Sequence, residues 1–201
     1  MMRREPLDPD ERQELLDGAS ERNIAHDFTV RVLVYTGMRV AELVHMRDSW
    51  VLWQDERIRI PPHEPCDCGD CRQKASESES RTLDDYWMPK TDMGARTIPV
   101  RDPATWRVMR EFFGRNETYG VTRQTAADRV KRVAADTGIE KPVSPHVLRH
   151  TYGTMIAENG ATAQYIRQTM GHEDLSAASD YIRYAGRQLD EEADRLFGVD
   201  R

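Results

Sequence analysis

Residues 144–184 read SPHVLRHTYGTMIAENGATAQYIRQTMGHEDLSAASDYIRY, and the reading of this stretch decides the fold. Ser144 is a good N-cap, and Pro145 suits the first helical position, where a missing N–H costs nothing. His146 and Arg149 then stand three apart, on one face near the helix start. Orphan N–H groups and the positive dipole end make such a place favourable for a phosphate. A second histidine follows in Gly171-His172, at an expected turn. Tyr181 lies nine residues further on, in what reads as a short polar helix.

Upstream, TGMRVAEL at 36–43 places Arg39 after a glycine turn, with Glu42 beside it, and PKTDMGARTIPV at 89–100 places Lys90 at a hairpin turn. Taken in order with HVLRHT and MGHEDLSAASDYIRY, these boxes resemble the signature of the tyrosine recombinases, the phage integrase family. The resemblance spans most of residues 7–190. It implies an α+β fold, mostly α-helical, with a small antiparallel sheet of about three strands. It also implies DNA strand breaking and rejoining through a 3′-phosphotyrosyl intermediate, with double-stranded DNA as partner and no catalytic cofactor.

Cutting a phosphodiester without a metal requires a nucleophile, neutralisation of the phosphorane and a proton for the leaving 5′ oxygen. By resemblance, Tyr181 is the nucleophile, and Arg39 and Arg149 grip the non-bridging oxygens. Lys90 is the general acid, His146 assists proton transfer from Tyr181, and His172 donates to a non-bridging oxygen. Tyr184, one turn beyond Tyr181, is the rival nucleophile, and Tyr152 a lesser one. His146 and His150 stand four apart as in a zinc protease, but Val147 occupies the position that needs a catalytic Glu, which excludes that reading. Type IB topoisomerases use similar chemistry, and these boxes are closer to the integrases. A helical domain with incidental His and Arg is the bland alternative.

Relatives usually carry an N-terminal helical DNA-binding domain, and residues 1–201 read as the catalytic domain alone. A non-recombining DNA-binding accessory or competitor is therefore the second reading, although a pure binder would not need Lys90 or Tyr181. Partners expected on this basis are a homo-oligomer on DNA, or a recombinase that supplies the other domain.

An insert spans 61–85 and holds all three cysteines, Cys66, Cys68 and Cys71, with His63 just before them. Three thiols and an imidazole match a tetrahedral structural Zn²⁺, and Gly69 permits a tight turn. The Cys-x-Cys-x-x-Cys spacing departs from paired Cys-x-x-Cys knuckles, and a polar loop with idle cysteines is the alternative. KASESESR at 74–81 reads as flexible and solvated.

The remaining elements follow from caps and periodicity. Helices are expected at 8–17, 23–36 (ended by Gly37), 39–46, 103–114 and 122–137, and an acidic amphipathic tail at 187–197. That tail has Leu189, Ala193, Leu196 and Phe197 on its apolar side, to dock on a neighbour or on its own domain. Strands are expected within 50–60, at 86–88 and at 97–100.

The net charge of −6 argues against nucleic acid only until its distribution is read: residues 101–132 carry eight basic residues against four acids. Arg123, Arg129, Lys131 and Arg132 surround the apolar stripe of the 122–137 helix, as a DNA-backbone contact or a plain solvated face. Lysine occurs only at 74, 90, 131 and 141, against 35 acids and mostly arginine cations, which fits a protein kept soluble in high salt, as in haloarchaea. GC-rich codon usage would produce the same bias. No apolar run reaches the ~18 residues of a membrane span, and residues 1–13 lack a signal-peptide apolar region, so the cytoplasm is the expected location.

Overall fold

The computed structural model describes residues 5–77 and 87–197. Its first helix, α1 (Pro9–Arg22), starts where the caps predict. Asp8 accepts from the amides of Asp10 and Glu11, while Glu11 reaches back to the Asp8 N–H at 2.8 Å. It runs five residues past the expected end. α2 (Ile24–Thr36) is capped by Asn23 and stopped by Gly37 in the left-handed region at φ 60°. Apolar on nearly every side, α2 is the buried axle of the domain: Phe28, Val30, Val32, Leu33 and Val34 are fully enclosed. Its Phe28 ring stacks on Phe112 at 4.2 Å and Tyr119 at 5.3 Å.

α3 (Val40–Leu43) is one turn long, shorter than the expected 39–46, and Arg39 occupies its N-cap position with extended backbone. Strands β1 (Val51–Leu52), β2 (Arg57–Ile60) and β3 (Arg96–Pro99) form one antiparallel sheet in the order β1-β2-β3. The register pairs Val51 with Ile58 and Ile58 with Ile98, so that Ile58, Ile60 and Ile98 face the core. The strand expected at 86–88 differs. Trp87 makes only an isolated antiparallel bridge to Glu64, and Tyr86 lies outside the described residues.

Within the insert, Gly69 opens a helix, α4 (Gly69–Ser76), where a tight turn was expected, and this helix takes in residues 74–76 of the stretch read as flexible. Glu77 follows as a turn, and residues 78–81 of that stretch, with the insert's end at 82–85, lie outside the described residues.

α5 (Pro103–Phe113) and α6 (Arg123–Ala135) follow, capped by Asp102 and Thr122, and α6 buries Ala126, Val130 and Val133 as its stripe predicts. α7 (Pro145–Glu158) starts at the Ser144 cap, and α8 (Ala163–Met170) ends in Gly171 at φ 66°. α9 (Leu175–Phe197) is a single helix of 23 residues that runs through Gly186. It joins what the sequence suggested were a short helix around Tyr181 and a separate tail. Its last turns are not packed on the domain: Leu189, Leu196 and Phe197 are 75%, 71% and 82% exposed. No helix among the described residues is long and apolar enough to cross a membrane.

Candidate functional site

The site forms where α3, β3, the α8–α9 turn and α7 meet. Glu42, fully buried, is its anionic centre. Oε2 accepts from the Arg39 backbone N–H at 2.8 Å and from Arg96 Nη2 at 2.9 Å, and Oε1 accepts from Arg39 Nη1 at 3.1 Å and Arg96 Nη1 at 2.8 Å. Burial alone would push this carboxyl up. Arg96, Arg149 and Arg39 outweigh it and hold it below the usual carboxylate range. Four donors fill the carboxylate's acceptor capacity.

Arg149, buried on α7, points its guanidinium at two main-chain acceptors: Nη1 donates to the Gly37 carbonyl and Nη2 to that of Met170 at 2.7 Å. Burial, with Arg39 close by, lowers it to about 10, so it remains a cation at neutral pH. Arg39 likewise donates from Nη2 to the Gly171 carbonyl at 2.8 Å. Both glycines are forced. At Gly37 a Cβ would lie 2.3 Å from the Tyr152 ring, and at Gly171 2.9 Å from Arg96 Nη1, each at positive φ. Three guanidiniums therefore surround one carboxylate, which leaves a local excess of two positive charges. An anion is the natural complement.

The Gly171 turn delivers His172 into this field. Its Nδ1 is buried with no hydrogen-bond partner among the described residues. Burial, then Arg149, Arg39 and Arg96, pull its pKa down to about 4, so the imidazole is neutral at physiological pH. The ring stacks on Tyr181, centroids 6.0 Å apart at 10°. Tyr181 projects from α9 into a small apolar cluster with Tyr152, Ile166, Met170 and Ala178, and only 8% of it is exposed. Burial raises its phenol above the ordinary value, while Arg149 acts in the opposite direction. The ring lies over Gly153, where a Cβ would fall 2.4 Å from it.

Of the six residues singled out from sequence, the fold brings Arg39, Arg149, His172 and Tyr181 into direct or shared contact. His146 stands one imidazole further out. The Tyr181 hydroxyl meets His150 Nδ1 at 3.1 Å, and His150 Nε2 lies 3.0 Å from His146 Nε2. With His150 Nδ1 accepting the phenolic proton, its Nε2–H is left to donate to His146. Lys90 is exposed and makes no polar contact among the described residues. Its neighbour Thr91 reaches the Gly171 carbonyl at 3.5 Å, which places the lysine's loop at the rim of the cluster. Tyr184, three residues beyond Tyr181, stacks with Arg187 and accepts from Gln188.

Sequence reasoning missed Arg96 and underrated His150. Arg96 was legible only as one residue of the Lys90 box, just before the expected strand at 97–100. In the fold it ties that hairpin to Glu42 and, through Nε, to the Thr169 carbonyl at 2.6 Å.

The metal-ligand set is also corrected. Cys66, Cys68 and Cys71 converge as expected, but the imidazole that joins them is His45, and the four ligand atoms lie within 4.8 Å of one another. His63 is exposed and outside the group. The next residue, Glu64, is pinned in its bridge to Trp87, with its amide 2.9 Å from the Trp87 carbonyl.

Comparison with known proteins agrees with this architecture. The model of the phage integrase family matches residues 5–187. Tyrosine recombinase XerD of Lacticaseibacillus casei is 28% identical over 173 residues, covering 81% of this chain and 52% of that protein. The XerD of Listeria monocytogenes (strain F2365) is 42% identical over 70 residues, 35% of this chain and 24% of that one. The chain thus spans no more than about half the length of these curated relatives. Among solved structures, the XerA recombinase superposes with a TM-score of 0.69 at 22% identity, covering 94% of this chain and 62% of that one. The Tn1549 transposon integrase, in complex with transposon right end DNA, gives 0.68 at 17% identity, covering 96% and 67%. The mostly helical domain, its three-stranded sheet and a family match over nearly its whole length establish that this chain belongs to the phage integrase family of tyrosine recombinases.

Proposed function

We propose that this chain is the catalytic domain of a site-specific DNA recombinase, which cleaves one strand of duplex DNA by attack of Tyr181 on a phosphodiester. The observation that carries this reading is the pairing of His172 with Tyr181. A neutral imidazole with a buried, unpartnered Nδ1 stacks on a phenol at the edge of a cluster with excess positive charge. A phosphate diester complements both features. Its non-bridging oxygens would accept from His172 Nδ1–H and from the guanidiniums of Arg39 and Arg149.

In the first step the Tyr181 oxygen forms a bond to phosphorus as the bond to the 5′ oxygen breaks. The phenolic proton passes to His150, with His146 beyond it, and Lys90 swings in from the rim to protonate the leaving 5′ oxygen. The arginines stabilise the pentacoordinate phosphorane, whose charge is greater than that of the ground state. The phosphotyrosine bond retains the energy of the broken linkage, so a 5′ hydroxyl can reverse the step without ATP. The DNA complexes of the structural neighbours support DNA as the substrate. Arg123, Lys131 and Arg132 on the exposed side of α6 offer contacts to its backbone. The uncovered Leu189, Leu196 and Phe197 favour subunit-to-subunit docking on DNA.

A nicked duplex that traps the covalent intermediate tests the proposal. A protein–DNA adduct on a denaturing gel, absent in Tyr181→Phe, is the expected result. One observation favours binding without cleavage: Lys90 stands outside the cluster. Duplex binding with no adduct from the wild-type chain would decide for that second reading.

A further inference from the structure

Three observations around His45 converge on a metal centre tied to the catalytic machinery. The first is distance. His45 Nε2 lies 3.3 Å from Cys71 Sγ and 3.4 Å from Cys68 Sγ. A tetrahedral Zn²⁺, with bonds of about 2.3 Å to sulfur and about 2.0 Å to nitrogen, sets such a pair about 3.5 Å apart. The second is orientation. His45 Nδ1 lies 2.7 Å from the Ala41 carbonyl, an acceptor, so that nitrogen carries the proton and the Nε2 lone pair faces the thiols. The third is the ligand count. Four protein ligands leave no open position, as in a structural site and unlike a catalytic one; Cys71 and His45 are buried, with Trp87 against the His45 ring at 5.5 Å, while Cys68 lies at the exposed edge.

We propose that His45, Cys66, Cys68 and Cys71 bind one Zn²⁺, which staples the insert to the end of α3. The three cysteines form no disulfide, so their sulfurs are available as metal ligands. Three soft ligands and one imidazole suit zinc over the oxygen-seeking Mg²⁺ or Ca²⁺. Binding releases the thiol protons and changes no oxidation state.

The anchor point gives the site its consequence. His45 stands two residues past the end of α3, its backbone N–H donates to the Glu42 carbonyl at 3.2 Å, and its ring bonds to the carbonyl of Ala41, the residue before Glu42. The metal therefore fixes the short helix that aims Arg39 and Glu42. A helix of four residues has little stability of its own. Arg47 adds a second tie, from Nη2 to the Pro65 carbonyl at 2.6 Å. This inference does not depend on the cleavage reading, because it concerns metal content and backbone protection.

The test begins with protein purified without chelator, in which elemental analysis should find about one zinc per chain. Co²⁺ substitution should give the intense thiolate-to-metal charge-transfer band of a tetrahedral sulfur-rich site. His45→Ala should lose the metal and His63→Ala should keep it. If His45→Ala fails to fold, Cys66→Ser with the same Co²⁺ spectrum serves instead. Chelation of the wild-type chain should raise amide hydrogen exchange at residues 42–46 at least tenfold and leave α2 protected. Folded wild-type protein with no zinc and no Co²⁺ band overturns the site, as does metal lost from His63→Ala but retained by His45→Ala. Metal binding with unchanged exchange at 42–46 overturns the staple.

Discussion

Glu42 holds Arg96 at two points, Oε1 to Nη1 at 2.8 Å and Oε2 to Nη2 at 2.9 Å, with both side chains almost wholly buried. The pair joins α3 to the Lys90 hairpin. Removing one member leaves the other's charge buried and uncompensated, which typically destabilises by ~3–5 kcal/mol. Glu42→Gln should therefore lower stability by about that amount, measured by urea unfolding, and more than Glu42→Gln combined with Arg96→Met. The pH dependence has a definite sign. Because the folded carboxyl sits below its unfolded value of about 4.3, its contribution is complete above that pH and is lost as acid titrates it through the lower folded value. The wild type should lose stability below about pH 4 through this group, and Glu42→Gln should lack that component.

Tyr181 and Tyr184 are separable by substitution. Tyr181→Phe should abolish covalent adduct formation and leave duplex affinity within about twofold, since a single neutral hydroxyl is removed. Tyr184→Phe should retain the adduct. An adduct that survives in Tyr181→Phe and disappears in Tyr184→Phe would transfer the nucleophile one turn along α9.

His150, in contact with the Tyr181 hydroxyl, should matter more to proton transfer than its neighbour His146. General base catalysis contributes roughly 10²–10⁴-fold, so His150→Ala should slow cleavage within that range. The acidic limb of its pH–rate profile should flatten. His146→Ala should slow cleavage less. Equal losses from His150→Ala and a conservative His150→Gln, with the pH profile unmoved, would reduce His150 to a packing residue.

His172, held near 4 by burial and three arginines, should report anion binding directly. A phosphate oxygen accepting from Nδ1 stabilises the protonated ring, so vanadate or inorganic phosphate should raise the His172 pKa. Imidazole ¹⁵N shifts across a pH titration give the value with and without the anion. For the free chain, the depressed pKa means that stability is unaffected above the unfolded value of about 6.5 and falls as pH drops from there toward 4. No change in the His172 titration with saturating anion would remove it from the phosphate site.

Gly153 sits mid-helix, where alanine would ordinarily add up to ~1 kcal/mol of helix stability. Here the added Cβ meets the Tyr181 ring at 2.4 Å. Gly153→Ala should therefore displace the phenol and cut adduct formation by an order of magnitude or more, with Tm changing by only a few degrees. A fully active Gly153→Ala would show that the observed ring position is not the reactive one.

How far the sequence carried depended on whether a feature was local. Asp8, Thr122, Ser144 and the helix-ending Gly37 announced their elements because capping is a short-range contract between neighbours, while α8, which Gly171 ends, went unread. Arg39, Arg149, His172 and Tyr181 were found through ordered boxes. The partners that complete the chemistry were not local. Arg96 meets Glu42 across 54 residues, and His45 meets Cys71 across 26, distances that no periodicity encodes. His63 was chosen for its nearness along the chain, and the fold chose by nearness in space. α9 was read as two pieces, a short polar helix around Tyr181 and an acidic tail at 187–197, and Gly186 stands between them. Nothing lies within 4 Å of a Cβ built at Gly186, so the helix passes through without obstruction.

Arg39 and Arg149 each lean on an oxygen that belongs to no side chain, the carbonyls of Gly171 and Gly37. Side-chain acceptors can be deleted by a point mutation; these cannot. Heredity can reach them only by altering the path of the chain, and at both places the path already depends on a glycine. The two guanidiniums are thus insured against most drift in their surroundings, with the risk concentrated at two codons. Among natural variants of this domain, positions 37 and 171 should stay glycine even where exposed side chains around them vary.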